Sequence, residues 1–332
     1  MGAGIARIRK RSLTRAYNSL GKGFTRAATP LKSAWWRAAP MLGALSLTAG
    51  CGLADGPISS PKGPIALAER DLLFTAFFVM LIVVIPVFLL TIFIVRRYRA
   101  SNEKARYDPE WESGALDAVV WLVPAAIVVT LGVLTWTYAH KLDPYRPLKA
   151  DQAPLEVQVI AQDWKWLFIY PEQQIATVNE LVFPSGRPLS LAITSDTVMN
   201  SFFIPALGGQ IYAMAGMRSE LHLLADAPGR FRGRNMQYSG SGFSDQNFTA
   251  IATTEADFDA WVDKVRKAPQ RLDAAAYQAL AKPSKKHPVT YYAFVEPKLF
   301  DAVVVKFASC AAPRTGQETQ LAGLEGALCL AN

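Results

Sequence analysis

The sequence predicts a two-helix transmembrane hairpin, then an all-β sandwich domain, then a C-terminal helical extension, and three patterns carry that expectation. Two apolar runs, residues 72–95 and 118–139, are each long enough to cross about 30 Å of hydrocarbon. Between residues 150 and 255, short runs rich in β-branched and aromatic residues are separated by Pro and Gly, with no amphipathic helix between them. From residue 256 to 307, apolar positions recur at three and four, the spacing of surface helices.

The chain opens on a basic segment. Of the 35 Lys and Arg among 332 residues, Arg7, Arg9, Lys10, Arg11, Arg15, Lys22, Arg26, Lys32 and Arg37 precede residue 50, with no acid among them. Without that segment 26 basic and 27 acidic residues remain, so the net charge of +8 belongs to a targeting segment and not to a nucleic-acid face. Residues 38–49 are apolar but too few to span, and Leu47-Thr48-Ala49-Gly50-Cys51 places small residues directly before a cysteine. Residues 1–50 therefore read as a signal peptide of lipoprotein type, with Cys51 the lipidated (palmitate-bearing) first residue of the mature chain. Thr48 departs from the aliphatic residue usual at that place.

Residues 51–71 form a segment outside the membrane, rich in Gly and Pro, leading into the first span at 72–95, which contains Pro86. A proline at that depth kinks a helix without ending it, because neighbouring helices compensate the lost bond. Arg96, Arg97, Arg99, Lys104 and Arg106 follow, and this density of positive charge marks the loop 96–117 as cytoplasmic. The second span, 118–139, returns the chain to the periplasm with Trp136 and Tyr138 at the interface. Asp117 stands at its cytoplasmic mouth, where the residues alone read it as an acid favoured by the helix dipole.

In the sandwich, Leu155, Val157 and Val159 alternate with polar residues, and strands are expected at 188–194, 210–214, 220–225 and 248–253, paired antiparallel. Trp164, Lys165 and Trp166 read as packing or interface residues. Helices are expected at 257–267 and 273–281, a solvated basic loop at 282–288, and a flexible tail at 308–332. The histidines, His140, His222 and His287, are scattered without ligand spacing. With Cys51 lipidated, Cys310 and Cys329 remain, either bridged in an oxidising compartment or as free thiols.

The stretch from Val198 to Phe248 has the punctuation of a metal site without its ligands. It reads Val-Met-Asn-Ser-Phe-Phe-Ile-Pro and later Asn-Met-Gln-Tyr-Ser-Gly-Ser-Gly-Phe-Ser-Asp-Gln. This resembles subunit II of the haem-copper terminal oxidases, where the segments read His-Ser-Phe-x-x-Pro and Cys-Ser-Glu-x-Cys-Gly-x-x-His-x-x-Met. Asp163-Trp164-Lys165-Trp166 and Tyr170-Pro171-Glu172-Gln173 add to the likeness, which covers roughly residues 51–307. Laid over that pattern, the histidines fall on Asn200 and Phe243, the cysteines on Asn235 and Ser239, the glutamate on Gln237 and the methionine on Gln246. A binuclear copper centre needs soft thiolate and imidazole ligands, and none stands at these places.

The resemblance therefore points to the quinol-oxidising branch, the cytochrome bo-type ubiquinol oxidases. It implies a cupredoxin domain without copper and no cofactor in this chain. It further implies haems and copper in a catalytic subunit I, subunits III and IV and membrane lipids as further partners, ubiquinol as the substrate of the complex, and a bacterial inner-membrane location. At the place of Asp117 the family carries a glutamate at the mouth of a proton channel. A cytochrome c oxidase subunit II, or an envelope lipoprotein binding a ligand through its sandwich, are the alternatives.

Overall fold

The computed structural model describes residues 56–102, 113–148, 150 and 152–311. Helix α1, Pro64–Arg97, is longer than the predicted span at its outer end. Pro64 at its first position suits a turn whose N–H groups lack intrahelical partners. One of those orphan donors, Ala66 N–H, is taken by the Leu207 carbonyl at 3.2 Å, while Lys62 N–H bonds Ala206 O and Asp226 N–H bonds Lys62 O. Gly63 is needed here, because a Cβ at that position would stand 2.1 Å from the Leu224 carbonyl oxygen. The extra turns thus serve to fasten the helix to the sandwich, and the helix runs on through Pro86.

Helix α2, Gly114–Lys141, is capped by Ser113, whose hydroxyl accepts from Leu116 N–H at 3.4 Å. Asp117 consequently lies inside the first helical turn, not in the loop before it. Ala66 is the one residue of α1 that is buried, and α2 has none, so both helices offer apolar flanks to lipid or a partner.

The sandwich begins with β1, Leu155–Gln162, β2, Lys165–Tyr170, β3, Ile175–Val178, and β4, Glu180–Pro184. It continues through β5, Leu189–Ser195, β6, Asn200–Phe203, β7, Ile211–Ala213, β8, Ser219–Leu223, β9, Gly229–Asn235, and β10, Asn247–Thr253. After helices α3, Glu255–Arg266, and α4, Ala274–Ala281, a short strand β11, Thr290–Tyr292, precedes helix α5, Leu299–Ala311. One sheet has the order β11-β3-β2-β1-β5-β8 and the other β4-β10-β9-β6-β7. The pairing is mixed where antiparallel pairing was expected: β1 runs parallel to β5 and β4 to β10. The cause is that the chain leaves the first sheet for β4 in the second and re-enters at β5 from the end where it first entered.

The six-stranded sheet is buried on both faces. Leu155, Val157, Val159, Trp166, Phe168 and Tyr170 point into the core shared with the second sheet. Ile160, Leu167, Ile169, Ala176 and Val178 point the other way, where Tyr277, Leu280, Leu299, Phe300 and Val303 cover them. The extension is therefore a third layer and not wholly helical, since β11 pairs with β3. Its helices begin where the sequence provides caps, Thr254 accepting from Asp257 N–H and Asp273 from Ala276 N–H. Helix α5 continues to Ala311, past the predicted start of the tail at 308, because its apolar stripe is held on the sheet. The remainder of the predicted tail lies outside the described residues.

Two cations fasten this layer, Lys165 buried and Lys306 half-buried. Lys165 Nζ donates to Lys282 O and Ser284 Oγ, both at 2.8 Å, and burial lowers its pKa. The basic loop, with Lys282, Lys285 and Lys286 exposed as a solvated connection should have them, is also tied down at its start. Asp196, 5% exposed, accepts from the Tyr277 hydroxyl at 2.7 Å and from Lys306 Nζ at 3.0 Å. Removing the cation with Lys306→Met leaves a buried carboxylate short of its charge partner. We expect a loss of about 2 kcal/mol, seen as a thermal midpoint lower by roughly 4–8 °C. An unchanged midpoint would show that the ion pair does not fasten the extension.

Candidate functional site

The places where a binuclear metal would sit are brought together by three segments. Strand β6 begins at Asn200, the paired strand β9 ends at Asn235, and a loop with a 3-10 turn at Phe243–Asp245 returns through Gln246 into β10. Beneath them lies an aromatic floor: Phe202 stacks on Phe248 with centroids 5.0 Å apart, and Trp166 meets both edge-on at 5.4 and 5.7 Å. This floor arises from strand alternation, which turns Trp166 and Phe202 inward.

On the floor sits a closed hydrogen-bond network. The Asn235 amide group donates to Asn200 Oδ1 at 2.7 Å and Gln246 Oε1 at 2.9 Å, and reaches Ser239 Oγ at 3.2 Å. Its carbonyl oxygen accepts from Ser201 N–H at 2.8 Å and Gln237 N–H at 3.0 Å. Ser239 Oγ donates to Gln246 Oε1 at 3.0 Å, Gln246 Nε2 to Gln162 O at 3.3 Å, and Asn200 Nδ2 to Val198 O at 2.8 Å. Asn200, Asn235 and Gln246 are at most 4% exposed. Such burial is tolerable because each amide has partners on its donor and its acceptor side.

Of the six positions aligned with the copper motif, the structure joins the side chains of Asn200, Asn235, Ser239 and Gln246, whereas Gln237 contributes only its backbone and Phe243 turns its ring to Tyr238 at 5.8 Å. Trp164 closes the loop from outside. Its backbone takes φ 62°, and its indole N–H donates to Ser239 O at 2.9 Å. Gly242 makes room for the ring, since a Cβ there would lie 2.2 Å from indole Cδ2. Carboxamides, a hydroxyl and a phenyl ring do not fit a copper pair, which needs thiolate bridges and imidazole. Among the described residues no three His, Cys, Asp or Glu come together as a metal set.

The remaining predicted residues are elsewhere. Asp117 is exposed in the first turn of α2, at the hairpin end remote from Lys141 and the sandwich. His222 is buried in β8, where desolvation lowers its pKa, and His287 bonds its neighbour Pro288 O in the basic loop. Cys51 and Cys329 lie outside the described residues, as does the side chain of Cys310. Sequence reasoning missed Gln162, Ser195 and Ser201. They support the network through backbone groups or from neighbouring turns, and no spacing rule marks such roles.

Residues 135–251 match the family described as cytochrome c oxidase subunit II, periplasmic domain, and residues 266–309 match the COX aromatic rich motif. Over 269 residues the chain is 49% identical to cytochrome bo(3) ubiquinol oxidase subunit 2 of Pseudomonas putida, covering 81% of this chain and 84% of that one. The protein of the same name from Pseudomonas aeruginosa is 51% identical over 274 residues, with 82% and 81% covered. Ubiquinol oxidase subunit 2 of Acetobacter aceti is 49% identical over 272 residues, with 80% and 87% covered.

If the network holds the three segments together, Asn235→Ala strands the Asn200 amide oxygen and two backbone N–H groups and leaves Gln246 Oε1 with Ser239 alone. The expected cost is about 2–3 kcal/mol, with a thermal midpoint several degrees lower and faster proteolysis between residues 236 and 246. Tyr238→Ala, on the exposed side of the same loop, should change the midpoint little; equal effects of the two substitutions would contradict the assignment.

Proposed function

The chain belongs to the subunit II family of the cytochrome bo-type ubiquinol oxidases, and from that membership we propose that it serves its complex structurally, without a redox centre of its own. It is an inner-membrane subunit with two membrane-spanning helices and a periplasmic cupredoxin-like domain, in a complex that oxidises ubiquinol and reduces oxygen. In our reading the haems and the oxygen-reducing copper lie in a catalytic subunit I, with subunits III and IV completing the assembly. The hairpin would pack against subunit I, and Cys51 would carry the lipid anchor.

The observation that carries the structural role is the Asn200–Asn235–Gln246 network: where copper would need soft ligands, neutral side chains satisfy one another. Electrons from quinol would therefore pass directly to the catalytic subunit. One purification tests this. A complex isolated through this chain should give haem bands in its reduced-minus-oxidised spectrum, while the separated subunit retains no stoichiometric copper after mild chelation and shows no near-infrared absorption. Intact mass of the same subunit should begin at a diacylglyceryl-modified Cys51. Copper retained by the separated subunit would sink the proposal.

A second role is assigned to Asp117. Its carboxylate lies in the first turn of α2, at the end of the span that we read as cytoplasmic, where a proton entering from that side would meet it. Asp117→Asn should slow quinol oxidation in the assembled complex about tenfold, equivalent to about 1.4 kcal/mol of barrier, and Asp117→Glu should restore most of the rate. Unchanged turnover in the Asn variant, with full haem content, would leave the acid as a helix-terminal charge only.

A further inference from the structure

The linker after α2 encloses a cavity of about 220 Å³ against the start of α1, lined by Ile65, Lys141, Leu142, Asp143, Arg146 and Leu148. Ile65 belongs to the first turn of α1 and Lys141 is the last residue of α2, so the cavity lies where both spans emerge on the side of the sandwich. Trp136, exposed, and Tyr138, half-buried, stand on the last turns of α2 and mark that level as the bilayer interface.

The cations of this cavity outnumber its one carboxylate, Asp143, and neither is paired with it. Neither Lys141 nor Arg146 takes part in an ion pair among the described residues, and Lys141 Nζ stands 5.5 Å from the centre of the Tyr138 ring. The Asp143 carboxylate is already engaged, accepting from Tyr145 N–H at 3.0 Å, and Arg146 N–H bonds the Asp143 carbonyl at 3.0 Å, which folds the turn that brings Arg146 to the cavity. The neighbouring Arg70, by contrast, is paired with Asp71 at 3.1 Å. Lys and Arg normally concentrate at the cytoplasmic end of a span, as Arg96, Arg97 and Arg99 do here. Two cations against one carboxylate leave an excess of positive charge at the opposite end, which calls for an anion that is abundant there.

The wall of the cavity selects among anions. Ile65, Leu142 and Leu148 give it an apolar side, from which a free oxyanion gains nothing and against which a glycerol backbone and its first methylenes bury surface. Guanidinium and ammonium groups suit a phosphodiester as charge-assisted donors. We propose that this cavity seats the headgroup of one anionic phospholipid of the periplasmic leaflet, its phosphate between Lys141 and Arg146. The proposal rests on the reading of α1 and α2 as spans of the oxidase complex.

The test uses the assembled complex with wild-type chain, with Lys141→Gln/Arg146→Gln, and with the charge-keeping pair Lys141→Arg/Arg146→Lys, each first checked for haem content and subunit composition. After exchange into a zwitterionic detergent, native mass spectrometry counts retained phosphatidylglycerol. Wild type and the charge-keeping pair should retain one molecule more than the Gln pair, and single Gln variants should be intermediate, which reads the site even if the double variant assembles poorly. In nanodiscs, raising the phosphatidylglycerol fraction in phosphatidylcholine should raise the thermal midpoint of wild type by several degrees more than that of Arg146→Gln. Equal lipid retention by wild type and the Gln variants would overturn the proposal. So would a rise of the same size produced by inorganic phosphate in pure phosphatidylcholine discs, which would make the ligand a free anion. A wild-type chain that purified without a haem-bearing partner would instead contradict the oxidase-subunit reading.

Discussion

Strand β2 sends Trp166, Phe168 and Tyr170 to one side of its sheet and Leu167 and Ile169 to the other, and water has to be kept from both. Each of these side chains contributes about 1.5–3 kcal/mol when fully buried, so neither cover can be dispensed with. The second sheet covers one face, and the C-terminal helices with β11 cover the other. The extension is thus an obligatory layer of the domain. That explains why polar side chains such as Lys165 and Asp196 are found on the sheet beneath it: once a layer is clamped in place, the few polar groups it covers must find partners across the seam.

The same economy governs the head of the sandwich. A metal holds loops together through a few strong bonds to charged or soft ligands. Here the loops are held by many neutral bonds, each with a net worth of about 1 kcal/mol, centred on one carboxamide that faces two strands and a turn at once. The aromatic floor of Phe202, Phe248 and Trp166 sets the shape beneath them, so the geometry of the head does not hang on the network alone.

Much of this was legible beforehand. The spans, the helices α3 and α4, and the convergence of Asn200, Asn235, Ser239 and Gln246 follow from hydropathy, apolar spacing at three and four, and the spacing of the aligned motif. What escaped was decided by tertiary contact. Strand β2, apolar at five successive positions after Lys165, lacks the alternation that marks a half-buried strand, because both of its faces are covered. Strand β11 has three residues and exists only because β3 offers it an edge. The parallel pairings come from the order in which the chain visits the two sheets, which no local pattern records. The early start of α1 depends on carbonyls some 140 residues later in the chain.

That early start has a mechanical side. Because Lys62 and Ala66 are bonded through their backbones to residues 206 and 207, and Gly63 lies flush against Leu224, no hinge separates the membrane helix from the sandwich at this point. A helix of 34 residues is about 51 Å long at 1.5 Å per residue, and it acts as a lever whose short arm is embedded in the β domain. Any change in its tilt, whether from bilayer thickness or from movement of a neighbouring subunit, would rotate the whole periplasmic domain with it. The lipid environment and the attitude of that domain above the membrane are in this way a single mechanical coordinate.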